Sequence, residues 1–183
     1  MLTNKDILDE KCKVLRQVSE EVKFPLTNED KKTIDLMIEY LTNSQIDKLA
    51  KKYDLRPGMG LSAVQLGILK RYIVIVHEQD IKETFKNYVV INPKITSNSE
   101  EIIYVDEGEG CLSVNRDVEG IVKRFARVTV EGFDIDGNPI KVRAREELAI
   151  AFQHEIDHLN GILFIDRIDK KDPYKDADIY RPI

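Results

Sequence analysis

The amino-acid sequence predicts an α+β fold in which antiparallel β-sheets pack around a buried helix. Several short apolar runs are bounded by turn residues, as in strands, whereas only two stretches space their apolar residues as a helix does. The turn sequence Asp136-Gly137-Asn138-Pro139 joins two of the apolar runs, which is typical of a β-hairpin. The chain has 183 residues, 42% of them hydrophobic, and no internal repeat or long linker. We therefore expect a single domain over residues 1–183.

The predicted elements follow in order along the chain. A helix over about 28–53 begins after Thr27 and repeats its apolar residues at helical spacing. A second helix covers about 146–159 and ends near Asn160-Gly161, because glycine suits a left-handed cap. Strands are predicted for residues 72–76, 88–95, 100–105, 127–135, 140–144 and 162–166. The charged tail beyond them is predicted to be an irregular surface strap.

Charge and targeting signals exclude several classes of protein. With 28 basic and 33 acidic residues the net charge is −5, so no general attraction to nucleic acid is expected, and no nucleic-acid motif is present. The apolar runs are too short to span a membrane, and the N-terminus resembles neither a transit peptide nor a secretion signal. With two cysteines and no signal peptide, no disulfide framework is expected, and the thiols are expected to be reduced. We expect a cytoplasmic protein without a membrane partner.

Two of the three histidines lie four residues apart in the second predicted helix. His154 and His158 therefore share one face, and Glu155, about 100° from His154, lies at its flank. This H-E-x-x-H pattern is typical of sites in which two imidazoles bind a metal ion and the carboxylate handles a water proton. Two solvent-facing histidines are the alternative. The apolar flanks of the helix indicate burial, and buried histidines need partners, so the metal site is favoured.

The histidine motif alone does not identify the third metal ligand. Catalytic centres of this kind usually have three protein ligands and one open position. No extended zincin pattern follows the helix, although Asp166 and Asp169 remain candidates. His77 ends an apolar run without a supporting motif and is interpreted as a surface histidine at a strand end. Cys111, in "DEGEGCLSV", is the better candidate, but an isolated cysteine is more often an inert buried thiol.

A third informative stretch is "RPGMGLSAVQLG", Arg56 to Gly67. It lacks the third glycine of a dinucleotide loop and the Lys-Ser or Lys-Thr of a Walker motif, and it precedes a strand. Its small residues, Gly58 and Gly60 among them, indicate a backbone that passes close to a ligand or to another strand. Gln65 at its end would, judged alone, be a surface glutamine.

Taken together, these three stretches resemble the peptide deformylases. The family order is G-φ-G-φ-[small]-A-x-Q, then E-G-C-L-S, then Q-H-E-x-D-H. The corresponding segments here are Gly58–Gln65, Glu109–Ser113 and Gln153–His158. Three motifs in the family order leave little room for coincidence, and the resemblance runs from about residue 5 to residue 169.

The sequence departs from the family pattern at two positions. Ser62 stands where the family usually has alanine, and Val64 where proline or threonine is common. Neither position is expected to touch a residue that does chemistry. The gap of roughly forty-five residues between Gln65 and Cys111 resembles the longer branch of the family, often seen in Gram-positive bacteria.

The resemblance implies an enzyme that removes the formyl group from the formylmethionine of nascent polypeptides as they leave the ribosome. It implies one divalent metal ion held by Cys111, His154 and His158. Fe²⁺ is the expected physiological ion, with Zn²⁺, Ni²⁺ or Co²⁺ able to substitute. Glu155 is implied to take a proton from water and pass it to the leaving amine. The Gln65 side-chain amide and the Leu112 backbone N–H are the implied donors to the oxyanion.

The resemblance also implies an extended peptide that adds to a strand, with its methionine in an apolar pocket. Ile150 is expected to line that pocket, since it lies one helical turn before His154. The implied substrate-binding residues are Gly58, Met59, Gly60, Leu61, Gly110 and Ile150.

Two other classes stay open. An H-E-x-x-H metalloprotease is favoured if Cys111 is not a ligand. In a non-catalytic, metal-stabilised binding protein, a fourth protein ligand would close the site.

Overall fold

The computed structural model describes residues 1–183 and contains three α-helices and eight strands. The helices are α1 (Asn28–Ser44), α2 (Asp47–Tyr53) and α3 (Glu146–Leu159). The strands are β1 (Gly60–Ser62), β2 (Tyr72–Glu78), β3 (Phe85–Asn98), β4 (Ile102–Tyr104), β5 (Arg124–Phe125), β6 (Arg127–Phe133), β7 (Pro139–Arg145) and β8 (Arg181–Pro182). None of the helices combines the length and the apolar character needed to cross a membrane.

The strands form two sheets. The larger sheet has the order β1-β2-β3-β6-β7 and is antiparallel throughout, and the smaller has the order β5-β4-β8. Strands β4 and β8 are parallel, which is the one exception to the predicted antiparallel pairing. The α+β class with antiparallel sheets is otherwise confirmed.

Residues 72–76 of β2 are buried on both faces, which explains their unbroken apolar sequence. Tyr72, Val74 and Val76 point to one face and pack with residues of α1. Ile73 and Ile75 point to the other and pack with α3. Side chains alternate along a strand, so a strand covered on both sides has no polar positions left.

Helix α3 begins and ends where the sequence predicted. Ten of its fourteen residues are buried, and Ala149, Phe152 and Ile156 pack against the larger sheet. Gly161, just beyond the helix, has φ +74°, a left-handed conformation that glycine adopts without strain.

The predicted single helix over about 28–53 is wrong, because it is two helices. The chain leaves α1 at Gln45 and is extended at Ile46. The Gln45 side chain donates to the carbonyl oxygen of Leu41 at 3.2 Å and to that of Val76 on β2 at 2.9 Å. The helical spacing of the apolar residues continues across the break, so the periodicity did not reveal that α1 and α2 are separate helices.

The predicted strand at 162–166 is also wrong. Residues Phe164–Asp166 form a 3₁₀ helix, in which the Asp166 carboxylate accepts the Leu163 N–H at 2.8 Å. Phe164 is buried beside Cys111, so the run from 162 to 166 is apolar because it is buried and not because it forms a strand. The tail contains one regular element that was not predicted, strand β8.

Candidate active site

Three side chains converge on one point between α3 and the loop that follows β4. Cys111 Sγ lies 3.3 Å from His158 Nε2, which lies 3.2 Å from His154 Nε2. All three ligand atoms lie within 4.8 Å of one another, and no fourth histidine, cysteine or carboxylate belongs to the group. One sulfur and two nitrogen donors at this spacing fit a divalent ion of the Zn²⁺ or Fe²⁺ kind with an open position.

The other candidate ligands lie elsewhere. His77 is near the end of β2, 3.9 Å from the Glu147 carboxylate. Asp166 forms an ion pair with Arg16. Asp169 accepts the backbone N–H of Lys171 at 2.9 Å.

A buried carboxylate orients the first histidine. His154 Nδ1 lies 2.9 Å from Glu109 Oε2, so its Nε2 points to the convergence point. Arg124 Nε donates to Glu109 at 2.7 Å, and Arg124 Nη1 donates to Asp157 on α3 at 2.6 Å. The Arg124 side chain is only 2% exposed. This chain of charges connects the Cys111 loop to α3. The role of Arg124 was not predicted from the sequence. The available signal was Asp157, because an acidic residue in a buried, apolar helix needs a cationic partner.

The charges in this network shift the ionisation of its members. Burial favours a higher pKa for Glu109, but hydrogen bonds from Arg124 and His154 lower that pKa to about 2. Burial favours a lower pKa for His154, but its bonds to Cys111 and Glu109 raise the pKa well above the usual value. Burial and the neighbouring His154 charge hold the pKa of His158 well below its usual value. A neutral His158 is suited to metal binding, because the bound form of imidazole is neutral.

Glu155 lies beside the same point and is 3% exposed. Its Oε2 accepts the Ser62 hydroxyl at 2.5 Å. The expectation that position 62 touches no residue of the chemistry is therefore corrected, since Ser62 contacts the candidate base. Burial raises the pKa of Glu155, against a smaller lowering by His154 and Ser62. A Cβ atom at Gly60 would lie 2.5 Å from Glu155 Oε1, so this carboxylate requires a glycine opposite it.

Gln65 is not a surface glutamine, because it is 1% exposed. Its Oε1 accepts the Ser62 N–H at 2.9 Å, which directs its NH₂ group to Ser113 Oγ at 3.1 Å and to Cys111 Sγ at 3.7 Å. The Leu112 N–H donates to no acceptor in the protein, whereas the N–H groups of Ser113 and Val114 both donate to Cys111. The site thus has two candidate donors for a developing negative charge.

A cavity of about 310 Å³ opens over these groups. Of the expected substrate-binding residues, it is lined by Gly58, Met59, Gly60, Gly110 and Ile150. Leu61 is the exception. Its side chain is fully buried in the core against α1, and it pairs with Val74 of β2.

Strand β1 is the edge of the larger sheet and borders the cavity. The Met59 carbonyl oxygen accepts the Val76 N–H at 2.8 Å. Because main-chain groups alternate along an antiparallel strand, the N–H and C=O of Gly60 point away from β2. An extended peptide can pair with them.

This geometry agrees with a family match over nearly the whole chain. The model of the polypeptide deformylase family matches residues 4–174. The chain belongs to the polypeptide deformylase family. As a peptide deformylase it is a hydrolase that removes the formyl group from N-formylmethionine peptides, and peptide deformylases are metalloenzymes. Of the three classes that the sequence left open, the deformylase is the correct one.

Relatives and solved structures give the extent of the similarity. Peptide deformylase 2 of Bacillus anthracis is 48% identical over 183 residues, which cover 100% of this deformylase and 99% of the relative. The peptide deformylase of Halalkalibacterium halodurans is 50% identical over 176 residues, 96% of each chain. The crystal structure of Arabidopsis thaliana peptide deformylase 1B with an inhibitor superimposes with a TM-score of 0.74 at 28% identity, covering 90% of this deformylase and 82% of that chain. A probable peptide deformylase from Synechococcus phage S-SSM7 gives 0.71 at 38% identity, covering 88% and 97%.

Proposed function

We propose that residues 1–183 act as one catalytic domain in which Cys111, His154 and His158 hold one divalent metal ion. The convergence of these three donors beside Glu155 and the cavity is the observation that carries the proposal. On this proposal α3 is the metal-binding helix and His154–His158 is its H-E-x-x-H motif. We propose Fe²⁺ as the physiological ion, with Zn²⁺, Ni²⁺ and Co²⁺ as substitutes for the same sulfur and nitrogen donors. A divalent ion there supplies Lewis-acid activation of water and of the formyl carbonyl.

Glu155 is the general base and acid. It takes a proton from the attacking water and delivers it to the leaving amine nitrogen of methionine, so that formate and a free N-terminus result. Burial favours a protonated carboxyl, which gives Glu155 the proton affinity that this transfer needs. The Ser62 hydroxyl fixes one of its oxygens, and the other lies over Gly60.

Gln65 and Leu112 stabilise the oxyanion that forms on the formyl oxygen. The Gln65 NH₂ group is held in place through its own carbonyl oxygen, and the Leu112 N–H has no competing acceptor. Preorganised donors of this kind need no rearrangement during the reaction, and losing one typically costs about 10²–10³ in rate.

The peptide binds as an added strand along β1, pairs with the free main-chain groups of Gly60 and passes the bare backbone of Gly58 and Gly110. The methionine side chain fills the part of the cavity lined by Met59 and Ile150. Leu61 is not part of this surface, because its main-chain groups face β2 and its side chain faces the core.

We also propose that the enzyme works in the cytoplasm on chains that are leaving the ribosome. The proposal rests on the substrate, since formylated N-termini belong to nascent polypeptides.

The test combines metal analysis of anaerobically purified protein with assays on formyl-Met-Ala-Ser and acetyl-Met-Ala-Ser. We expect one metal ion per chain, formate release from the first peptide and far slower hydrolysis of the second, because an added methyl group crowds the reacting carbon. Comparable rates on both peptides, or cleavage at internal bonds, would contradict the proposed fit of the formyl group. The Cys111→Ala variant should lose the metal, since two histidines make a poor site, and full occupancy in that variant would remove Cys111 from the ligand set.

A further inference from the structure

The half-buried side chain of Arg56 holds the turn that carries the metal-binding cysteine. Its Nη1 donates to the carbonyl oxygen of Leu112 at 3.1 Å and to the Asn115 side chain. Its Nη2 donates to the carbonyl oxygens of Cys111 and Val114, each at 3.1 Å. One guanidinium group therefore binds four acceptors within five consecutive residues.

Arg56 is itself held at its backbone. Its N–H donates to Asn4 Oδ1 at 3.1 Å, and its carbonyl oxygen lies 3.1 Å from the hydroxyl of Tyr40, which is fully buried on α1. The planar fork of an arginine can satisfy several carbonyl oxygens in one fixed arrangement. The turn is thus fastened to the core through one rigid side chain.

The hydrogen bond from Arg56 to the Cys111 carbonyl oxygen fixes the orientation of the Cys111–Leu112 peptide group, which matters for the reaction. A trans peptide unit is planar, so the C=O of Cys111 and the N–H of Leu112 point in opposite directions. Arg56 binds that C=O, and the Leu112 N–H must therefore point away from the guanidinium group. It is also an N–H without an acceptor in the protein. The adjacent Gln65 NH₂ group lies 3.1 Å from Ser113 Oγ of the same turn.

We propose that Arg56 is a positioning residue that aims the Leu112 N–H at the formyl oxygen in the transition state. This inference rests on the proposed role of Leu112 as an oxyanion donor. Arg56 touches neither the reacting atoms nor the metal ligands' donor atoms; it acts by holding the Cys111–Leu112 peptide plane.

The experiment compares Arg56→Lys with wild type, both reconstituted with the same metal, on formyl-Met-Ala-Ser. Lysine keeps the charge, but a single ammonium group cannot reproduce the fork. We expect kcat to fall by about 10- to 100-fold, less than for complete loss of a donor, while KM stays within about twofold and metal content is unchanged. The ¹⁵N–¹H resonance of Leu112 in the zinc form should shift or broaden, which a purely structural loss of stability would not produce in a folded protein.

Arg71→Lys is the matched control. Arg71 is also half-buried and also donates to a backbone carbonyl oxygen, that of Leu159 at 3.2 Å, beside the metal ligand His158 but not in the turn that carries Leu112. We expect its kcat and KM to remain at wild-type values. A comparable loss of kcat in both variants would overturn the inference, because the effect would then be general.

Further outcomes separate this inference from the proposed function. An unchanged kcat in Arg56→Lys, or a rise in KM alone, would overturn the inference while the deformylase mechanism stood. A Gln65→Ala variant with wild-type kcat would instead contradict the proposed role of Gln65, while the result for Arg56→Lys would still decide the inference about the Leu112 N–H. If Arg56→Lys does not fold, Arg56→Ala assayed with added methylguanidinium serves in its place. Recovery of kcat with the added cation supports the positioning role, and a folded Arg56→Ala enzyme at wild-type kcat contradicts it.

Discussion

The two faces of the larger sheet differ in what they bury. On the α1 face, Tyr72, Val74 and Val76 of β2 pack against apolar residues of the helix. On the α3 face, Ile73 and Ile75 pack in the same way, but α3 also carries His154, Glu155, Asp157 and His158 into the interior. The α1 face therefore stabilises the sheet, while the α3 face adds a set of ionisable groups that is costly to bury unless each member is paired or neutral.

The largest effect is expected for Glu155→Ala on the α3 face. Turnover should fall by about 10²–10⁴ because proton transfer is lost, while metal content stays at one ion per chain because Glu155 is not a ligand. Steady-state kinetics with metal analysis measures both. Asp35→Ala, an exposed carboxylate on α1, is the control and should retain wild-type turnover. Wild-type turnover in Glu155→Ala would show that this carboxylate is not the base.

A large loss of stability is expected for Arg124→Met. Glu109 would be left buried without its arginine and with only His154 beside it, whereas Asp157 would keep its ion pair with Arg167. Removing one partner of a buried ion pair costs roughly 3–5 kcal/mol. Urea denaturation of the metal-loaded protein measures the change in the free energy of unfolding. A loss below about 1 kcal/mol would mean that His154 or water is enough to neutralise Glu109.

A smaller and purely structural effect is expected on the α1 face. Ile34→Val removes one methylene group from a side chain that is 2% exposed, which typically costs about 0.5–1.5 kcal/mol. The kcat for formyl-Met-Ala-Ser should remain at the wild-type value. A kcat that falls along with the stability would show that the two faces are coupled through β2.

The smallest effect is expected for Asp30→Asn at the start of α1. Burial favours a higher pKa for Asp30, but hydrogen bonds from Lys70 and Thr27 hold the pKa below its ordinary value. A lowered folded-state pKa contributes stability above the unfolded pKa and loses it as the pH falls through the folded value. Since Lys70 is 41% exposed, we expect no more than about 1 kcal/mol at pH 7. The difference between variant and wild type, followed by urea denaturation at several pH values, should vanish in acid. A difference that persists below pH 3 would point to the helix cap instead of the charge.

The sequence predicted those features whose causes lie close together in the chain. Helix α3 was predicted at its observed bounds, because its apolar residues and the glycine after it are local signals. The break at Gln45 was missed because its side chain is held by Val76, thirty-one residues away. The run at 162–166 was wrongly predicted as a strand. Its apolar residues are buried beside Cys111, and a short buried run has the same apolar pattern whether it is a strand or a 3₁₀ helix.

The candidate site divides in the same way. His154, Glu155 and His158 are recognisable from spacing within one helix, and Cys111 and Gln65 followed only from the order of the motifs. Arg124 and Arg56 were not predicted as supports. Their partners lie between 15 and 59 residues away, and only the folded chain brings them together.

The pairing of β8 with β4 has a consequence for synthesis of the enzyme. The Asp106 N–H donates to the carbonyl oxygen of Ile183, and the Ile183 N–H donates to that of Tyr104, so residues 181–183 support the segment that leads to the cavity. During translation this support is delayed until residue 183 has left the exit tunnel, after all of α3 and the Cys111 turn are already available to fold. A released chain truncated before residue 181 should therefore bring its metal-binding side chains together, while the rim of the cavity at Val105 and Asp106 lacks its hydrogen bonds to residue 183. When the chain folds from its N-terminus during synthesis, the rim of the cavity is thus completed after the metal-binding site.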